Sequence, residues 1–196
     1  MKTHPSRRKG FTLVELLVVI AIIIVLAAAG FAAAQAAIKK AKQTAAKQGC
    51  TSLQEAVNAF YNEYGRLPEP SDSGATADND PYDTSTGEGL KLVTILLGKE
   101  TGTNLQNPKQ ITFLNVPTGK SNKNGLIYSG SEIKGLYDPF GSGYKIVLDY
   151  DYNEEIKPPT ESGSSTNSDN LLRGKRCIVY SLGVDKKGGA EAVKVF

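Results

Sequence analysis

The sequence predicts an α+β chain: one long N-terminal α-helix, apolar in its first half and amphipathic in its second, packed on a small antiparallel β-sheet head with long loops. Three observations predict it. Residues 16–34 (LLVVIAIIIVLAAAGFAAA) carry no charge and no hydrogen-bonding side chain, long enough as a helix to cross a bilayer core. Beyond them Ala46, Cys50, Leu53, Val57, Phe60 and Tyr64 recur at three- and four-residue steps, the spacing of one helix face. The remainder is dominated by short β-branched and aromatic runs between Gly-, Pro-, Ser- and Asp-rich stretches, which read as strands and loops.

The helix reads as continuous from about Phe11 to Tyr64, roughly 80 Å at 1.5 Å per residue. Gly65 is placed to cap it and Pro68 prevents its continuation. Gly30, inside the apolar half, is a point where it could bend. In the head, 70–87 reads as an exposed loop and Gly89 to Leu97 as a short helix closed by Gly98. Short strands or extended segments follow at 111–116 and 126–129. The firmest strands are Tyr144 to Tyr150 (YKIVLDY) and Cys177 to Leu182 (CIVYSL), with an edge strand at 192–196. Residues 157–170 read as a surface loop. The expected organisation is therefore a leader at 1–10, a transmembrane or filament-core helix at 11–38, an amphipathic half at 39–65 and a globular head at 66–196.

The N-terminus carries the sharpest signal. A basic stretch ends at Gly10, Phe11 opens the apolar segment, and one charge, Glu15, interrupts it. A carboxylate at membrane depth costs about 2.5–3.5 kcal/mol on insertion scales. The first-turn position gives it some helix-dipole stabilisation, too little at a lipid-facing site to offset that cost. Lys2, Arg7, Arg8 and Lys9 precede the span while Lys39, Lys40, Lys42 and Lys47 follow it, so the positive-inside rule leaves orientation tied. A secretory signal with an Ala-x-Ala site and a twin-arginine signal at 6–11 are the competing targeting readings; Glu15 at the head of the apolar core argues against the first, and the aromatic falls one place late for the second.

Gly10-Phe11-Thr12-Leu13-Val14-Glu15 with the apolar run after it resembles the prepilin leader shared by type IV pilins and type II secretion pseudopilins. The resemblance implies cleavage between Gly10 and Phe11 by a membrane peptidase, methylation of the new Phe11 amine by the same enzyme, and an assembly role for Glu15. It also implies a cytoplasmic N-terminus, a single pass through the bacterial inner membrane and a periplasmic head. Glu15 would then meet the amine of a neighbouring copy in a homopolymeric filament, relieving two charges that are costly alone in an apolar medium. Before assembly the partner is membrane lipid. Afterwards the partners are further copies, other pseudopilins and the inner-membrane assembly platform.

Two head segments, Tyr137-Asp138-Pro139-Phe140-Gly141-Ser142-Gly143-Tyr144 and Tyr180-Ser181-Leu182-Gly183-Val184-Asp185, are similar to segments of major (G-type) pseudopilins. Phe140 stands where that family usually has tryptophan. The first segment also reads by itself as a type I turn, with Asp at i, Pro at i+1 and Gly at i+3. The resemblance implies calcium near Asp185. The second Asp expected downstream is missing, and Lys186 and Lys187 oppose a cation. Asp149-Tyr150-Asp151-Tyr152-Asn153 opens like a calcium loop but has Glu154 at position six and Thr160 at position twelve. Asp185 is thus the one candidate metal ligand, and no cofactor is assigned.

Charge and chemistry narrow the function. The whole chain has a formal net charge of +3, with 23 basic and 20 acidic residues; without the four basic residues of the leader, 19 basic face 20 acidic. This gives no support for nucleic-acid binding. The lone histidine, His4, lies in the leader, which deprives the rest of the chain of the usual base and the commonest zinc ligand. No catalytic residue is assigned and the chain reads as a non-enzyme. Cys50 and Cys177, the only cysteines, are open to two readings: a helix-to-sheet disulfide or two buried thiols. The expected function is a structural subunit of a type II secretion pseudopilus. A type IV pilus subunit and a membrane-tethered extracytoplasmic binding module are the alternatives.

Overall fold

The computed structural model describes residues 10–70, 81–157, 171–184 and 192–195. Helix α1 runs Leu13–Tyr64 without interruption, through Gly30. It ends as the sequence suggests: Gly65 adopts φ +68° and donates its N–H to the Tyr61 carbonyl at 2.7 Å, a left-handed cap that a β-carbon would strain. By contacts the chain divides into two compact units, one reaching to Ala41 and one running Lys42–Phe196.

In the first unit every residue from Gly10 to Ala41 whose side chain is described is solvent-exposed, from Phe11 (79%) to Ile38 (50%). In the second the amphipathic face expected from the spacing is buried: Ala46, Cys50, Leu53, Val57 and Phe60 are all fully inaccessible, with Tyr64 partly so. They share a core with Leu92 and Leu96 of a second helix, α2 (Gly87–Leu96), and with sheet residues. The small helix expected at 89–97 is α2, beginning two residues earlier and followed by Gly98 at φ +64°.

The main sheet is antiparallel, ordered β1-β4-β7-β8, with β1 Tyr82–Asp83, β4 Lys145–Leu148, β7 Cys177–Ser181 and β8 Val193–Val195. Two short hairpins accompany it: β2 (Gly125–Ser129) with β3 (Glu132–Tyr137), and β5 (Glu155–Ile156) with β6 (Leu172–Arg173). Both faces of the central strands are covered. Ile146 and Leu148 of β4 and Cys177 and Val179 of β7 enter the main core, while Val147, Ile178 and Tyr180 pack with Ile156 and Leu172 on the other side. Alternation with period two, combined with two buried faces, explains why these strands read as unbroken apolar runs. The edge strand expected at 192–196 is β8. The helix and sheet approach closely at Gly49, where a β-carbon would collide with the hydroxyl end of Tyr144.

Two expectations are corrected and three strands are added. Residues 111–116 form no strand, because the N–H groups of Phe113 and Leu114 are taken by the Leu96 carbonyl at 2.9 and 3.0 Å. That stretch is instead pinned by the buried Asn107, whose Nδ2 donates to the carbonyls of Ile95 and Ile111 and whose Oδ1 accepts from Tyr64 Oη at 2.7 Å. The segment read as a loop at 70–87 contains the edge strand β1, its residues 71–80 lying outside the described ones. Strands β3, β5 and β6 were not foreseen. Of the surface loop read at 157–170, all but Lys157 lies outside the described residues.

Candidate processing and assembly site

Gly10, Phe11 and Thr12 precede the first helical residue, and both residues flanking the expected cleavage point are exposed. The helix start is set by a reciprocal cap. Thr12 donates to Glu15 Oε2 twice, from its backbone N–H at 2.9 Å and its hydroxyl at 2.8 Å. The Glu15 backbone N–H donates back to Thr12 Oγ1 at 3.2 Å. This is a Thr-x-x-Glu capping box, which satisfies two N-terminal N–H groups that have no partner within the helix.

The cap adds a role for Glu15 that the sequence reading did not assign, and a residue, Thr12, that it passed over. The signal was present, since Thr three residues ahead of Glu at the head of an apolar run is the sequence signature of this motif. The cap uses Oε2 and does not engage the other carboxylate oxygen. It also leaves the Phe11 nitrogen out, so release of the Phe11 amine by cleavage would not dismantle it. The arrangement therefore holds a carboxylate fixed one helical turn from the amine that processing would create.

In the head, the two segments singled out by sequence meet through one hydrogen bond. Asp138 is fully buried. Its Oδ1 accepts the backbone N–H groups of Phe140 (2.9 Å) and Ser142 (2.8 Å), and its Oδ2 accepts the Ser181 hydroxyl at 2.6 Å. The Gly141 N–H closes the turn onto the Asp138 carbonyl at 3.2 Å, with Gly141 at φ +89°. A buried carboxylate is tolerable only when its acceptors are filled, and here one side chain both builds the turn and clamps it to β7. Ser181 in turn accepts the Gly183 N–H at 3.2 Å.

Asp185 lies outside the described residues. In the other acidic segment the carboxylates serve the local backbone: Asp149 Oδ2 accepts from the Glu154 N–H at 2.9 Å and Asp151 Oδ1 from the Asn153 N–H at 3.0 Å. Tyr152 and Glu154 take positive φ of +56° and +61°. Among the described residues no group of three or more His, Cys, Asp or Glu side chains is placed to hold a metal ion.

Cys50 and Cys177 are free, buried thiols, so of the two readings the structure adopts the second. Cys177 opens β7 with its thiol 4.0 Å from the Gln54 carbonyl; Cys50 lies 3.8 Å from the carbonyl of Val193, which pairs with Ser181 at the other end of that strand. Four strand residues span about 13 Å, whereas a disulfide holds its Cα atoms within about 7 Å. Burial pushes both thiols up to about 12, which keeps them protonated and unreactive.

No curated protein and no solved structure matches this chain. Residues 5–31 match the family described as the prokaryotic N-terminal methylation motif. That stretch contains Gly10, Phe11, the Thr12–Glu15 cap and most of the apolar run. An N-terminal helix of this length and composition is compatible with a single-pass membrane anchor, and the motif carries with it processing by a prepilin peptidase and assembly into pilin-type filaments. The chain thus bears the prepilin-type methylation motif of the type IV pilin-like proteins, and the match supports its placement among them.

Proposed function

We propose that the chain is a structural subunit of a type II secretion pseudopilus, cleaved after Gly10, N-methylated at Phe11 and polymerised through its N-terminal helix for protein secretion. The observation that carries this reading is the motif over residues 5–31, with Glu15 fixed one turn beyond the cleavage point. In the inner membrane the head faces the periplasm and lipid covers the apolar half of α1. In the filament, neighbouring copies replace the lipid and the amine of an adjacent Phe11 pairs with Glu15. The assembly platform and other pseudopilins are its partners. The same motif would serve a type IV pilus subunit. The Asp138–Ser181 clamp favours the pseudopilus, because it joins the two head segments that resemble the major pseudopilin.

Replacement of Glu15 tests the reading. Both Glu15→Gln and Glu15→Val should be inserted and cleaved normally, yet yield few or no sheared filaments, because neither offers a negative partner to an incoming amine. Gln retains the cap geometry and Val abolishes it, so equal assembly defects assign the effect to charge and a defect in Val alone assigns it to the cap. A Gly10→Val control should remain full length by mass spectrometry. Wild-type filament yield from both Glu15 variants would show that Glu15 is not the assembly contact, whereas a wild-type chain left uncut and monomeric where the peptidase is present would support a tethered binding module.

A further inference from the structure

One exposed turn of the head is basic and has no acid beside it. No acidic residue occurs from Thr101 to Ser131. Within that stretch Lys120 and Lys123 flank Ser121 and Asn122, which take φ of +52° and +55°. The Lys120 N–H donates to the Lys123 carbonyl at 3.2 Å and the Lys123 N–H donates back to the Lys120 carbonyl at 3.1 Å, a tight two-residue turn of the I′ type. All four residues are exposed, and among the described residues neither lysine has an ion-pair partner. At the other end of β2 and β3 a cavity of about 690 Å³ opens between α2 and Ser131, with Glu69 and Glu132 in its wall, a size that admits a peptide turn. The other charged groups of that wall are committed. Lys99 Nζ donates to Tyr128 Oη at 3.1 Å, Glu100 accepts the N–H groups of Gln106 and Asn107 at 3.1 and 2.7 Å, and Lys91 is itself engaged. Glu69 is held by Gln106 through its backbone N–H and carbonyl only. Among the described residues no hydrogen bond or ion pair engages the carboxylate of Glu69 or of Glu132.

We infer that the turn at Lys120–Lys123 of one copy docks in this cavity on a second copy, its ammonium groups meeting the carboxylates of Glu69 and Glu132. The turn and the cavity lie at opposite ends of one hairpin: Gly125 pairs with Tyr137 beside the turn, and Ser129 with Glu132 beside the cavity. Five strand residues span about 17 Å, so a head cannot place its own turn in its own cavity. A contact between unlike surfaces of identical copies relates them head to tail, which builds rings or open filaments rather than closed pairs. The inference rests on the reading of the chain as a filament subunit and adds to it a contact between heads. Exposed ion pairs contribute little energy. The contact therefore sets how one head faces the next, while the N-terminal helix supplies the assembly. The turn is held in shape by its own backbone, which lowers the ordering cost of docking.

The test uses sheared filaments of the full processed chain, treated with a carbodiimide that joins amines to carboxylates in direct contact. Mass mapping of the dimer band should show Lys120 or Lys123 linked to Glu69 or Glu132. Lys120→Glu together with Lys123→Glu should cut filament yield about tenfold, because like charges then face each other across the contact. Adding Glu69→Lys and Glu132→Lys to that chain should return the yield to within about twofold of the wild type, a recovery that a merely structural role would not produce. Wild-type yield from the reversed lysines, or no recovery with all four changes although the heads melt at the wild-type temperature, would overturn the contact. So would dimers in which the two lysines are linked to another carboxylate or to another protein. If the reversed heads fail to fold, the wild-type linkage map decides by itself. A cleaved wild type that forms no filaments would overturn the filament reading and the contact with it, whereas filaments without these links overturn the contact alone.

Discussion

One helix contains two regions that solve opposite problems. In the apolar half, Leu16, Ile20, Ile23 and Leu26 are about half exposed or more, as far as a helix by itself allows. In the amphipathic half, Leu53, Val57 and Phe60 have no exposure at all. The sequence is more hydrophobic where the structure buries less. Apolar surface left open to water is unfavourable. A narrow stripe of apolar residues needs only a head to cover it. Hydrophobicity alone thus does not mark the folding core; periodicity does.

The sharpest way to break this comparison is a pair of truncations. Phe60→Ala removes a buried ring packed on Tyr64 and Phe113, at centroid distances of 4.8 and 5.6 Å, and should destabilise the head by about 3–5 kcal/mol. Ile23→Ala, at 57% exposure, should leave thermal unfolding of the head unchanged. Comparable losses from both would mean that hydrophobicity by itself, and not the periodic stripe, decides the head's stability.

The clamp between the two head segments should be the next most sensitive point. Asp138→Ala leaves the Ser181 hydroxyl and the N–H groups of Phe140 and Ser142 without their acceptor, at about 1–3 kcal/mol for each group left unsatisfied in the interior. Asp138→Asn keeps an acceptor for the turn and should cost less in denaturant titration. If Ala and Asn prove equally mild, the clamp does not organise the head.

The thiols offer a qualitative check. Iodoacetamide at pH 8 should leave Cys50 and Cys177 unmodified in the native head and label both after denaturation without reductant. A linked peptide pair in a non-reducing map would contradict the free-thiol core.

The smallest expected effect is electrostatic. Burial raises the Asp83 carboxyl, but the Lys145 ammonium at 2.7 Å and the Ser85 hydroxyl and N–H together outweigh it and hold the group below the usual carboxylate range. Its stabilising contribution should therefore be complete above about pH 4 and be lost as the pH falls through the depressed folded value. Asp83→Asn should flatten that acid limb of the head's stability profile by about 1 kcal/mol or less.

Much of the fold was legible because it is written in local chemistry. The apolar run, the periodic face ending at Tyr64, the Gly65 and Gly98 caps and the two central strands all follow from side-chain spacing and backbone preference. The methylation motif that includes Gly10 and Phe11 was legible for the same reason, as a short ordered stretch. Thr12 was equally readable as half of a capping box, and the lysines after the span could be counted. The strands β3, β5 and β6 were harder to find. Two are only two residues long, and β3, with its exposed Glu132 and Lys134, lacks an apolar run.

What the sequence by itself determined is a chain with an apolar N-terminal helix bearing one carboxylate, a cleavage motif before it and an α+β head behind it, since each depends on residues near one another along the chain. Only the tertiary structure decided that Asp138 clamps Ser181 across 43 residues of sequence. It also decided that the Leu96 carbonyl takes the N–H groups of Phe113 and Leu114, which keeps 111–116 out of any sheet, and that Asn107 joins Ile111 to Tyr64. The two cysteines lie against opposite ends of one strand and remain thiols. These outcomes depend on which buried donor meets which acceptor. That is fixed by packing between segments distant in sequence, because an interior group must be satisfied by whatever the fold brings beside it.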